Sequence, residues 1–208
     1  PAPDAPFHLD VSFAWPGDPE KGIAVEITDA GLKELVRFPN LRSLGVTGKT
    51  ITDAGATEIA KLKNLAEIDL SRTKVTAIGL KELAKLRSIT RLSLSQMDVT
   101  EDMLQEVAEF ENLTRFHLSF NRSEVTVAGL KHIAKLSKLE KLGFFGAKVS
   151  DAAALELGQL KNLKALDFFL TKVTEAGAKE LRKLLPKCDI SVQRVDLTFP
   201  PPPPIPKD

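Results

Sequence analysis

Apolar residues recur along this chain in a single register. Segments beginning at Leu41, Leu65, Ile89, Leu113, Leu139 and Leu163 align with one another at spacings of 24, 24, 24, 26 and 24 residues. Each opens with an L-x-x-L-x-L pattern, as in Leu65, Ile68 and Leu70; Ile89, Leu92 and Leu94; Leu113, Phe116 and Leu118; and Leu163, Leu166 and Phe168. The last two apolar positions are two residues apart, so they point inward together while their neighbours point outward. Every unit is therefore predicted to contain a short strand.

Five residues after each strand pattern stands Ile51, Val75, Val99, Val149 or Val173, with Val125 delayed by two extra residues. The next position always carries a hydroxyl: Thr28, Thr52, Thr76, Thr100, Thr126, Ser150 and Thr174. A helical pattern follows each of them. A side-chain oxygen there accepts from an unpaired N–H of the first turn, so these residues are expected N-caps, each worth about 1 kcal/mol. Acids follow five of them (Asp29, Asp53, Glu101, Asp151, Glu175), and Lys61, Lys85, Lys135 and Lys183 fall near the opposite helix ends, an arrangement that complements the helix dipole. That structural role competes with reading the lysines as a nucleic-acid stripe, which Glu109 and Gln159 interrupt. Gly31, Gly55, Gly79, Gly129 and Gly177 share one site inside the helical segment, which Met103 and Ala153 also occupy. Glycine there costs about 0.5–1 kcal/mol relative to alanine, and the expected reason is close approach of adjacent backbones.

The run V-T-x-A-G-L-K-x-L/I-A-K-L, met at residues 125–136 and, with Ile78 in place of the alanine, at residues 75–86, resembles the short bacterial relatives of ribonuclease-inhibitor-type leucine-rich repeats. The resemblance covers residues 27–192. It implies an α/β solenoid, with parallel strands on the concave face and short helices on the convex face. Each repeat then buries its apolar side only by stacking on the next. Similar repeats in bacterial effectors stand beside an F-box, for which this chain has no room, so that role is not carried over.

Three regions are expected: an N-terminal cap at 1–26, the solenoid at 27–198 and a proline-rich tail at 199–208. Residues 7–13 alternate apolar and polar and predict a capping strand. Residues 15–22 read as a turn-rich insertion in which Trp15 covers the end of the core. Pro186 stops the last helix, and Ile190 and Val192 continue the strands. Phe199 and the prolines at 200–204 favour a polyproline II rod, either a stiff linker or a ligand for an aromatic groove, the chain's own or a partner's.

Composition narrows the function classes. The chain has 208 residues, 43% apolar and 27% charged, enough for one substantial core. Twenty-nine Lys and Arg balance 28 Asp and Glu, so the field that drives non-specific nucleic-acid binding is missing. The single cysteine, Cys188, excludes an internal disulfide framework and is expected to be a small buried apolar group. No stretch is long enough for a membrane span and no signal-peptide core is present. The chain starts at Pro1, which leaves its compartment open: cytoplasmic, or exported if a leader was removed. No phosphate loop, metal-ligand spacing, activated nucleophile or paired-carboxylate motif occurs, so neither an enzyme nor a cofactor is expected.

The strand register gives the concave face directly. Outward positions are Glu67, Asp69 and Ser71; Arg91, Ser93 and Ser95; Arg115, His117 and Ser119; Lys141, Gly143 and Phe145; and Ala165, Asp167 and Phe169. Phe145 and Phe169 are equivalent in consecutive repeats, with Leu170 beside them and Phe120 one position along in the preceding repeat. With strands about 4.8 Å apart these side chains form one apolar patch, a sign of an interface unless the loop core or the proline tail covers it. His117 with Arg91, Arg115 and Asp69 forms the polar counterpart, a candidate set of binding contacts with no nucleophile beside it. Residues 121–124 enlarge one loop, either as a contact or as tolerated drift. The expected function is a non-catalytic module that binds a protein or peptide on its concave face. The alternative is an architectural spacer joined to more chain through the tail.

Overall fold

A computed structural model describes residues 7–11, 27–120 and 124–193 of the chain. Strand and helix alternate through them: β1 (Phe7–Val11), α1 (Asp29–Leu32), β2 (Leu41–Val46), α2 (Asp53–Ile59), β3 (Glu67–Asp69), α3 (Ala77–Ala84), β4 (Arg91–Ser95), α4 (Glu101–Val107), β5 (Arg115–Ser119), β6 (Glu124–Val125), α5 (Val127–Ile133), β7 (Lys141–Phe145), β8 (Lys148–Val149), α6 (Asp151–Leu155), β9 (Ala165–Phe169), α7 (Glu175–Leu184) and β10 (Asp189–Gln193). Eight strands form one parallel sheet in the order β1-β2-β3-β4-β5-β7-β9-β10, and β6 pairs with β8 beside it. The enlarged loop thus ends in a small sheet of its own. Register follows the repeat without slippage from β2 to β10: Ser93 lies opposite His117, His117 opposite Gly143, and Gly143 opposite Asp167. The capping strand is present at Phe7–Val11. The turn-rich insertion with Trp15, the end of the assigned solenoid and the proline-rich tail lie outside the described residues.

The inward positions do what the L-x-x-L-x-L pattern predicts. Val46, Leu70, Leu94 and Leu118 are completely buried, and Phe144 and Phe168 extend the row with rings stacked 5.5 Å apart. Ile51, Val75, Val99, Val125, Val149 and Val173 form a second buried row beneath the loops. Between repeats, the side-chain amides of Asn64, Asn112 and Asn162 donate to carbonyls of Pro39, Arg87 and Ser137 in the preceding repeat at 2.7–2.9 Å. Turns that would otherwise leave carbonyls unpaired are thereby tied to their neighbours.

Six of the seven expected N-caps accept a backbone N–H: Thr52, Thr76, Thr100, Thr126, Ser150 and Thr174. Thr28 does not. Its helix is a single turn that tightens at once into a 3-10 segment, and the main chain closes it, Leu32 N–H donating to the Thr28 carbonyl at 3.2 Å.

The acids after the caps reach further than their own helix. Asp29 accepts from the N–H and hydroxyl of Thr52, Asp53 from those of Thr76, and Asp151 from those of Thr174, all at 2.6–2.8 Å. Glu101 accepts from the Thr126 hydroxyl at 3.1 Å. Each carboxylate therefore clamps the cap of the next repeat. The shared glycine site makes room for it: a Cβ on Gly55 would lie 2.3 Å from Asp29 Oδ1, and one on Gly177 2.2 Å from Asp151 Oδ1. What comes close is a side chain of the preceding repeat, which corrects the expectation of close backbones. At Gly129 the close side chain is Leu104, whose Cδ1 would lie 2.6 Å from a Cβ, and Met103 and Ala153 stand where the preceding repeat offers Ala77 and Val127 instead of the aspartate met by Gly55, Gly79 and Gly177.

Candidate functional site

The strands turn their outward residues onto the concave face in rows that run across the repeats. One row contains Glu67, Arg91, Arg115 and Lys141 at the strand starts, and the next contains Asp69, Ser93, His117, Gly143 and Asp167. Between them lies an open groove of about 420 Å³, with Asp69, Arg91, Arg115, His117 and Lys141 in its lining. The four polar residues singled out from the sequence are thus brought together in one groove. They are not equally free to engage a partner. Arg91 is ion-paired with Glu67. Asp69 accepts from the Ser71 N–H at 2.9 Å and from its hydroxyl, so its carboxylate is turned into its own strand end. Arg115 and Lys141, adjacent across β5 and β7, have no ion pair among the described residues. Glu140, among the described acids, feels both of them. A hydrogen bond from Lys164 at 2.7 Å holds it below the ordinary carboxylate range, and the charges of Lys164, Arg115 and Lys141 add to that. His117 is exposed, and its ring leans over Gly143, where a Cβ would lie 2.9 Å from Nδ1. The bare glycine gives the imidazole its place.

A second zone lies at the far ends of the same strands. Phe145 and Phe169 stack with ring centroids 4.3 Å apart and planes 8° from parallel, and Phe120 meets Phe145 edge-on at 4.7 Å. Leu170 follows Phe169 directly. Phe120 remains 48% exposed and Leu170 38%, whereas Phe145 and Phe169 are half-buried beneath them. The four apolar candidates therefore form a partly open patch beside the polar groove. Ser71 and Ser119, read from the sequence as outward-facing, are buried instead, just before the chain reverses through a left-handed residue. Ser119 Oγ donates to Ser95 Oγ at 2.6 Å and completes a short hydroxyl chain along the groove's edge.

That reversal was not legible in the sequence. Arg72, Gln96, Phe120, Gly146 and Leu170 occupy one position of successive repeats, and all have φ between 48° and 62°. Their N–H groups donate to the carbonyl at the end of the next strand: Arg72 to Ser95, Gln96 to Ser119, Phe120 to Phe145, Gly146 to Phe169 and Leu170 to Gln193. The left-handed conformation continues the strand ladder by one more bond while throwing the side chain outward. It costs roughly 1–2 kcal/mol for a residue with a Cβ. Gly146, which escapes that cost, also leaves the space that the Phe120 ring fills, since a Cβ there would lie 2.8 Å from Phe120 Cδ1.

Solved structures with the same architecture include two internalins of Listeria monocytogenes. The first (inlF) has a TM-score of 0.51 and 14% identity over 83% of this chain and 64% of that one; internalin C2 has a TM-score of 0.58 and 22% identity over 80% and 68%. A leucine-rich-repeat protein of Leptospira interrogans is similar at a TM-score of 0.47 and 24% identity, over 76% of this chain and 44% of that one. This chain therefore spans 64% of the length of the first internalin. No family model and no curated protein sequence matches it. At these identities the likeness is one of fold, and the fold is that of an α/β leucine-rich-repeat solenoid. No helix among the described residues is long and apolar enough to cross a membrane.

Proposed function

We propose that this chain is a non-catalytic binding module that holds a protein or peptide on its concave face, with repeats of the short ribonuclease-inhibitor-like kind. The observation that carries the reading is the apolar patch of Phe120, Phe145, Phe169 and Leu170. Phe120 and Leu170 are large apolar side chains left more than a third exposed. They also stand on a left-handed backbone that costs stability without filling the core. A partner that covered the patch would gain roughly 25 cal/mol for each Å² of apolar surface removed from water. Arg91, Arg115, His117 and Asp69 supply polar contacts in the adjoining groove, which would fix orientation more than affinity.

The test compares the wild-type chain with a Phe145→Ser, Phe169→Ser variant as immobilised baits, after circular dichroism has established that both are folded. Partners retained by the wild type and lost by the variant support the reading. Identical partners on both baits would discard it in favour of an architectural spacer.

A further inference from the structure

The polar groove and the aromatic patch are arranged as two ends of a single recognition site, and the geometry points to a partner segment that is extended and acidic. This rests on the concave-face reading and specifies its ligand. Lys141 opens β7 and Phe145 closes it, so cation and ring stand on one strand, four residues apart and on the same face. At about 3.3 Å per residue the separation is roughly 13 Å. Arg115 is the neighbour of Lys141, and the stacked Phe169 is the neighbour of Phe145. Both ends are thus two strands wide. Arg115 and Lys141 have no ion-pair partner among the described residues, whereas Arg91 next to them is neutralised by Glu67. Within the groove, then, the cations that no carboxylate contacts stand on β5 and β7, in line with the patch, and Glu140 acts on them only through space. An acidic side chain between Arg115 and Lys141 supplies the contact ion pair that Glu140 does not make with either of them. A fully extended chain laid along β7 then brings its residue four positions away, on the same side, over Phe145 and Phe169. The site reads an Asp or Glu and a large apolar residue at i and i+4 of an extended segment. A helix covers the same 13 Å only in eight to nine residues.

An array of labelled, end-capped twelve-residue peptides tests this, with one Glu and one Phe in a Ser/Thr background at every separation from one to nine and in both orders. Fluorescence anisotropy against the full chain is expected to peak at a separation of four in one order and to fall about tenfold when Glu becomes Gln. Arg115→Gln with Lys141→Gln removes the Glu dependence and leaves the Phe dependence, while Phe145→Ser with Phe169→Ser does the reverse. A maximum at eight or nine, an affinity indifferent to Glu, or tighter binding of a single-stranded oligonucleotide of equal length overturns the inference. Peptides that bind through Phe alone sink it while leaving concave-face binding intact, and a chain that binds none of the array but still loses captured partners with Phe145→Ser, Phe169→Ser does the same. Loss of neither kind removes both.

Discussion

Single positions in this solenoid answer to the repeat before them. Gly79 touches Asp53 Oδ1 closely enough that a Cβ would lie 2.6 Å away, and its N–H donates to that oxygen at 3.0 Å. Gly31, at the equivalent site of the first repeat, has nothing among the described residues within 4 Å of such a Cβ. Gly31→Ala should therefore gain about 0.5–1 kcal/mol from better helix propensity. Gly79→Ala should lose about 1–3 kcal/mol by displacing a hydrogen-bonded carboxylate. Urea unfolding of the two variants decides this, and in an Asp53→Ala background only part of the Gly79→Ala penalty should disappear, because Val75 Cγ1 and Ala56 Cβ would still lie 2.8 and 2.9 Å from the added Cβ. The pairing of acid with glycine was visible in the sequence, but the expectation of close backbones assigned it to the wrong partner, because spacing shows that something approaches and not what. Cys188 behaves as its type suggests: it is 9% exposed, and burial, followed by the charges of Asp189 and Asp167, pushes its thiol up from 9.0 to about 11. The folded thiol keeps its proton where the unfolded one loses it, so this group takes nothing from stability below pH 9 and withdraws some as pH rises from 9 towards 11. At pH 8 alkylation of the native chain should run on the order of a hundredfold slower than that of the urea-unfolded chain, and an equal rate would show the thiol to be open.

Strand and helix positions were mostly legible, because a period held over six units averages out local ambiguity: the register, the inward rows and six caps all follow from it. The turn between strand and helix was not. Arg72, Gln96, Phe120 and Leu170 have no chemistry in common that signals positive φ, and only the glycines Gly48 and Gly146 hint at it. Tertiary pairing imposes the conformation, since each N–H finds a carbonyl of the next strand. Gln96 is exposed and has φ 54°, so Gln96→Gly should raise stability by up to about 1 kcal/mol once the added chain entropy of glycine is subtracted. Phe120→Gly should gain less, because it also removes the edge-on contact with Phe145. Thermal unfolding of the pair separates strain from contact. The apolar candidates were legible as neighbours, whereas the division of the polar set into paired Arg91, self-bonded Asp69 and unmatched Arg115 depends on side-chain geometry that no spacing encodes.

Taken end to end, the molecule is a one-dimensional stack in which stability passes between nearest neighbours. Phe144 lies 1% exposed against Phe168, and Phe144→Ala should cost about 3–5 kcal/mol. Hydrogen exchange should then open the repeats around β7 and β9 first, leaving those around β2 and β3 protected; uniform deprotection would mean that the chain melts as one piece. The carboxylate clamps add grain to this stack. They join the repeats capped by Thr28, Thr52 and Thr76, then those capped by Thr100 and Thr126, then those capped by Ser150 and Thr174, and they skip the junctions at Ala77 and Val127. Under tension applied at its two ends such a chain bears load in series and tears along its weakest seams. The described solenoid would therefore yield as three blocks of three, two and two repeats, each shed with its own burst of slack.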